Sequence, residues 1–224
     1  MEKVAVSKIV EFRRKSKDSQ KTFVNNLQKP KAEKTGDGGD YWTTSVSAIS
    51  STYKSGKKNL IKNKIEELIG KHNVATAKIS KNMYQRNIEI LYNFEDFDFS
   101  IYKPKIEFTY ISKPNDKSII KIKGIPVQVR PQHVFTYKEK NVQKIGAIWF
   151  VSKLDGFKTN EIGIFTDALH RYLDLNYSEK FEINPDFCLA LDVVNLQDVR
   201  YTQILNKEII LLLDSTIESI KQLL

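Results

Sequence analysis

Four consecutive blocks decide the fold of this chain: KIKGIPVQVRP (121–131), QHVFTYKEKNVQK (132–144), IGAIWFVSKLDGF (145–157) and KTNEIGIFTDALHRYL (158–173). They read as strand, turn, strand, polar loop and helix. Residues 118–122 alternate apolar and polar side chains, as a half-buried strand does. Gly124-Ile-Pro and Pro131 interrupt the next strand, which places Pro126 at an edge, a bulge or a strand start. His133–Tyr137 and Ile145–Val151 are predicted to pair as a hairpin around KEKNVQK. The second strand ends in Ser152-Lys153, which carries a cation to the mouth of a buried sheet, where α/β proteins often place their chemistry. Thr159 or Asn160 would cap a helix through Leu173, with Ile162, Phe165, Leu169 and Tyr172 or Leu173 on its apolar face.

Outward from these blocks, Phe187–Val194 is a continuous apolar strand, and Glu208–Leu224 has the periodicity of an amphipathic helix. Upstream, Asp40 is the expected N-cap of a helix that starts at Tyr41 and ends at Gly56. A second helix spans roughly 59–71, and a third roughly 75–92. Val4, Val6, Ile9, Val10 and Phe12 would form a strand or a helical turn, and Phe23, Val24 and Leu27 share a helical face. The expectation is an α/β (α+β) fold with a mixed β-sheet flanked by helices and an N-terminal helical layer. Its parts are an N-terminal segment and basic loop (1–39), a basic helical layer (40–104) and a mixed α/β core with a C-terminal helix (105–224), together one domain.

The chain has 224 residues, enough for a sizeable core, and 41% hydrophobic with 28% charged residues is ordinary for a globular protein. There is no run of about 18 apolar residues to cross a membrane, and no apolar core that would make the first residues a secretory signal. Cys188, the single cysteine, lies in an apolar run, which fits a buried core thiol and a reducing, cytoplasmic setting. The net charge of +9 is uneven: residues 1–90 carry 19 basic against 9 acidic side chains, and the remainder 17 against 18. Such asymmetry points to an anionic partner, DNA or RNA, with Lys57, Lys58, Lys78, Lys81 and Arg86 as the expected phosphate contacts on the helical layer. The plainer alternative is solvated surface, since lysine is a strongly hydrated point charge.

The order glycine, strand, hairpin, strand ending in Lys153, loop, helix and apolar strand resembles the PD-(D/E)XK nuclease superfamily, in particular its RecB-like exonuclease branch. The resemblance spans roughly residues 118–195. It implies a Mg²⁺-dependent phosphodiester hydrolase fold with an acid on the first hairpin strand and an acid-x-Lys triplet on the second. Lys153 matches that lysine, but Val151 stands two residues before it and Val127 falls near the first acid. The helix motif Gln-x-x-x-Tyr is represented by Glu161 and Phe165. The resemblance therefore implies a catalytically degenerate protein that binds nucleic acid or a partner nuclease, of a kind suited to bacterial or phage nucleic-acid processing, with no cofactor.

Two alternatives remain open from sequence. An active nuclease would need migrated acids around Lys153, namely Asp155, Glu161 and Asp192, with Mg²⁺ between them; Asp167 is a further acid nearby. A protein-binding subunit with no nucleic-acid contact would use Asn93–Tyr102, where aromatic residues crowd together. His72, His133 and His170 lack metal-ligand spacing, and Lys153 has a bland reading as a strand-end lysine whose stem lies on apolar surface. GDGG at 36–39 is a hinge or an anion cradle.

Overall fold

The computed structural model of the chain describes residues 3–29, 41–113 and 118–224. Its elements in chain order are β1 (Val4–Ala5), α1 (Val6–Arg13), α2 (Lys17–Gln28), α3 (Thr43–Ser55), α4 (Asn59–Val74), α5 (Lys78–Tyr92), a 3₁₀ turn (Phe99–Tyr102), β2 (Phe108–Tyr110), β3 (Ile119–Ile122), β4 (Ile125–Gln128), β5 (His133–Glu139), β6 (Val142–Val151), α6 (Thr159–Tyr177), β7 (Glu182–Asp192), β8 (Gln197–Arg200), α7 (Tyr201–Leu205) and α8 (Leu213–Lys221). Helices flank two mixed sheets, which is the α/β class the sequence predicts. The larger sheet has the order β2-β5-β6-β7-β8, and the smaller has the order β1-β4-β3.

β6 is the spine of the larger sheet because it is apolar on both faces. Ile145, Ala147 and Val151 enter one core with α6, and Ile148 and Phe150 enter the other, beneath α3, α4 and α5. β7 repeats the pattern, with Cys188 and Ala190 on the first side and Leu189 and Leu191 on the second. β5 pairs with β6 antiparallel, and β7 pairs with β6 in parallel after the crossover through α6. The carboxyl ends of two adjacent parallel strands therefore open at the same edge of the molecule.

The hairpin turns are tighter than their sequence suggests. KEKNVQK shrinks to the two residues Lys140-Asn141, both at positive φ (48° and 66°), because β5 and β6 zip through Glu139 and Val142. Pro126 pairs with Lys121 on β3, while β1 meets β4 only at Val127 and Gln128, so the missing N–H leaves no gap in the ladder. At its middle β7 bulges: Ile145 pairs with Ile183 and Ala147 with Cys188, which leaves Asn184–Phe187 opposite Gly146. A Cβ on Gly146 would stand 2.8 Å from both Phe135 Cε2 and Phe187 Cβ. Gly146→Ala is expected to cost about 1–3 kcal/mol by overpacking, read as a lower urea midpoint at unchanged slope. An unchanged midpoint would mean that the two rings spread at no cost.

Several elements depart from expectation. α3 starts at Thr43, and Asp40 and the GDGG segment lie outside the described residues. α4 runs through Gly70 to Val74, past the end expected near residue 71. α6 is preceded by Lys158 as N-cap and continues to Tyr177. The expected helix from Glu208 begins only at Leu213, and β8 and α7 precede it. The reason is a close fit: Ile209 Cγ2 lies 2.7 Å from where a Cβ on Gly163 would be, so non-helical chain covers α6 before α8 starts. The N-terminal residues split, with Val4 and Ala5 completing the small sheet and Val6, Ile9, Val10 and Phe12 entering the α6-side core.

Candidate functional site

The loops after β6 and β7 carry the residues named from sequence, and a residue that sequence reasoning missed holds them together. Arg14, just past the end of α1, donates from Nε to Glu161 Oε1 (2.7 Å), and from Nη2 to Glu161 Oε2 and to the Gly156 carbonyl (2.9 Å). Glu161, at the third position of α6, also accepts from the Lys158 backbone N–H (2.8 Å), as the acid of a capping box does. Burial pushes the Glu161 carboxyl up, but the Arg14 hydrogen bonds, the Lys158 N–H and the nearby charges outweigh it and hold the group below its ordinary value.

Asp192 ends β7 with its side chain turned into the same junction. Oδ2 accepts from the Phe157 N–H (2.8 Å) and Oδ1 from the Val194 N–H (3.0 Å), which ties the loop after β6 to the turn after β7. Burial raises its carboxyl above the ordinary value against the pull of those N–H groups and of Arg14. Asp155 is exposed at φ 63° and within electrostatic reach of Arg14. Lys153 is half-exposed and depressed, first by burial and then by the Arg14 charge. Lys153, Asp155, Glu161 and Asp192 do converge, but around a guanidinium.

That arrangement does not fit Mg²⁺. A divalent ion needs free carboxylate oxygens, whereas those of Glu161 face Arg14 and the Lys158 N–H, and those of Asp192 face backbone N–H groups. The Arg14 charge sits where the ion's charge would be. Asp167 is no reserve, because Arg171 holds it from Nε (3.0 Å) and Nη2 (3.1 Å). Val127, near the place expected for a first acid, lies in the small sheet between Val4 and Ile120. The strand beside β6 is β5, so that correspondence shifts by a whole strand.

The expected phosphate contacts do not form one face. α4 and α5 are joined by three residues and pack on each other as a helical hairpin. Lys57 and Lys58 precede α4, and Lys58 acts on Asp98 beyond the end of α5. Lys78 and Lys81 are at the far end, about 20 Å away at 1.5 Å per residue. Arg86 is engaged, with Nη1 donating to Tyr41 Oη (3.2 Å) and its guanidinium 5.7 Å from that ring. In 93–102, Phe94, Phe99 and Tyr102 are buried, and Phe97 stands 4.9 Å from Phe94 and 5.0 Å from Phe99. These rings anchor the chain to the core rather than presenting an aromatic surface.

The basic character concentrates elsewhere, on α1 and α2. Residues 3–29 hold eight basic side chains against Glu11 and Asp18. Lys3, Lys8, Lys15 and Lys29 line a cleft of about 510 Å³ with Phe23 and Asn26. Lys8 and Lys15 share Glu11 (2.7 and 3.5 Å) and lie over the Phe23 ring at 5.7 and 5.2 Å. Lys153 acts on the same Glu11, so three lysines surround one carboxylate. This cleft shares Ala5, Ser7 and Gln128 with a second, of about 500 Å³, beyond the carboxyl end of β6. Arg130 is the single charged residue in the second lining, which contains no carboxylate.

The floor of the second cleft is rigid. Gln132 mimics a strand neighbour, accepting from the Phe150 N–H (2.7 Å) and donating to its carbonyl (3.3 Å). His133 Nε2 lies 2.8 Å from Ser50 Oγ, its ring stacks on Tyr53 at 5.2 Å, and burial lowers its pKa to about 4. It is therefore neutral at neutral pH and stands behind Ser50, which lines the cleft. His170 stacks on Tyr201 at 3.6 Å, and among the described residues no group of three His, Cys, Asp or Glu is placed to hold a metal. No helix among the described residues is long and apolar enough to cross a membrane. Comparisons of the chain with protein-family models, with curated proteins and with solved structures give no match.

Proposed function

We propose that this protein is a nuclease-like, catalytically degenerate binder of nucleic acid. The observation that carries the reading is the lysine-lined cleft on α1 and α2 that continues into a carboxylate-free cleft at the end of β6. A polyanion gains where cations outnumber acids, and in the first cleft Lys3, Lys8, Lys15 and Lys29 outnumber Glu11, the one carboxylate of its lining. The sheet order β2-β5-β6-β7, with α6 crossing between its parallel pair, is compatible with the nuclease resemblance. The engagement of Glu161 and Asp192 by Arg14 and backbone N–H groups favours binding without hydrolysis. A cytoplasmic setting goes with this reading.

The test is fluorescence anisotropy of labelled single- and double-stranded DNA and RNA over a salt series, with Mg²⁺ present and strand integrity checked afterwards. Binding should weaken steeply with salt while the strands stay intact. Lys8→Gln with Lys153→Gln should lower the salt slope by about 1.4–1.8 for two lost phosphate contacts, and Lys78→Gln with Lys81→Gln should leave it unchanged. Cut strands would replace this reading with an active nuclease. No binding at low salt would leave the basic surface as solvated charge and favour a protein partner.

A further inference from the structure

We infer that the cleft at the end of β6 seats one nucleotide unit, with its base against the indoles of Trp42 and Trp149 and its phosphate on Arg130. The inference deepens the reading above and rests on it. Both tryptophans of the chain line this cleft, Trp42 from the start of α3 and Trp149 from β6. Trp149 is held by an edge-to-face contact with Phe165 (5.3 Å), and Trp42 by one with Tyr41 (4.7 Å). Fixed aromatic rings in a cleft are the usual platform for an unstacked base, and each such contact is favourable with any base because every base has a π face.

Arg130 supplies the anion contact. It is exposed and has no carboxylate partner among the described residues. With the Gln128 amide oxygen turned toward it, that oxygen accepts from Nε and Nη2 (both 3.0 Å), which fixes the guanidinium and leaves Nη1 free. A guanidinium held by a neutral amide keeps its full charge, and its planar donors suit phosphate. Ser7, Thr43, Ser47 and Ser152 also line the cleft, and their hydroxyls make no hydrogen bond among the described residues. They can serve the edges of a base or the sugar. A space of about 500 Å³ falls in the range of small-ligand sites. Through Ala5, Ser7 and Gln128 it opens onto the lysine cleft, where the next phosphates of a single strand would lie.

Because both tryptophans line this cleft, tryptophan fluorescence excited selectively over the ten tyrosines reports on it alone. The probes are a nucleoside 5′-monophosphate and a 5′-phosphorylated hexanucleotide, each titrated at low salt, with anisotropy of the labelled hexanucleotide followed in parallel. Saturable quenching is expected, weakened about tenfold by Arg130→Gln, a loss of about 1.4 kcal/mol, with most of the signal lost in Trp149→Phe. Quenching by the hexanucleotide alone would assign the site to a strand end, and by both probes or the monophosphate alone to a free nucleotide unit. Salt-sensitive anisotropy without quenching, or affinity unchanged by Arg130→Gln, would overturn the cleft assignment and leave nucleic-acid binding standing. Neither signal would overturn both.

Discussion

Gly156→Ala should lower the stability of this protein by about 3 kcal/mol, roughly twice the cost of the same change at Gly56. Both residues have positive φ, 66° and 73°, so both pay the left-handed penalty of an L side chain, about 1–2 kcal/mol. They differ in surroundings. Around Gly56 nothing lies within 4 Å of a new Cβ, whereas at Gly156 the Cβ would fall 1.9 Å from Asn195 Nδ2 and 2.5 Å from Asp192 Oδ2. Asn195 is exposed and can swing away, but the Asp192 carboxylate is buried and fastened by the Phe157 and Val194 N–H groups. Relief therefore requires parting the loop after β6 from the turn after β7. Urea midpoints of the two variants read the difference directly, and at 2–4 °C per kcal/mol the melting temperature of Gly156→Ala should fall by roughly 10 °C. Equal midpoints would show that the Asp192 junction yields freely, and would remove the case for a rigid platform beside β6.

The fold was legible where one sheet face or helix face decides the pattern. β6 and β7 carry continuous apolar runs and α6 carries apolar residues at period 3.6, so their class was fixed locally, and the hairpin around 140 came from its flanking strands. Boundaries failed where tertiary contact outvotes periodicity. The repeat from Glu208 to Leu224 is helical in pattern, yet Ile209 packs on Gly163 from non-helical chain, a fit that no single-sequence window contains. The site was half legible for the same reason. Lys153, Asp155, Glu161 and Asp192 were picked because they succeed two apolar strands, and parallel pairing brings their loops together. Arg14 lies about 140 residues earlier in a basic run with nothing to distinguish it from Arg13 or Lys15. Arg130 and Trp149 belong to no motif, and only the enclosure by α1, α3 and the end of β6 brings them to one cleft. Charge asymmetry located the basic side chains in the N-terminal part of the chain, but the helical hairpin separates Lys57 and Lys58 from Lys78 and Lys81, while α1 and α2 gather lysines that read as an arm in sequence.

Arg14→Ala should damage this junction nearly as much, and its cost should depend on pH. Removing one partner of a buried ion pair typically costs about 3–5 kcal/mol; here about 2–3 is expected, because the Arg14 side chain is 31% exposed although that of Glu161 is only 9%. The Glu161 carboxyl sets the sign. With Arg14 present its folded value lies below the ordinary one, so the pair contributes stability above the ordinary carboxylate range and loses it as pH falls through the depressed value. Without Arg14, burial prevails and the folded value rises, so protonation favours the folded variant. The gap between wild type and variant should therefore be widest near pH 7 and narrow steadily as pH falls from about 6 toward 4. Urea unfolding at several pH values measures that gap, and Glu161→Gln in the Arg14→Ala background should recover part of it at pH 7 while keeping an acceptor for the Lys158 N–H. A gap independent of pH would mean that Arg14 works instead through the Gly156 carbonyl and the Phe157 ring, 5.6 Å from its guanidinium. That outcome would transfer the stability of the crossover from charge pairing to loop packing, and with it the reason the acids beside Lys153 are withheld from a metal.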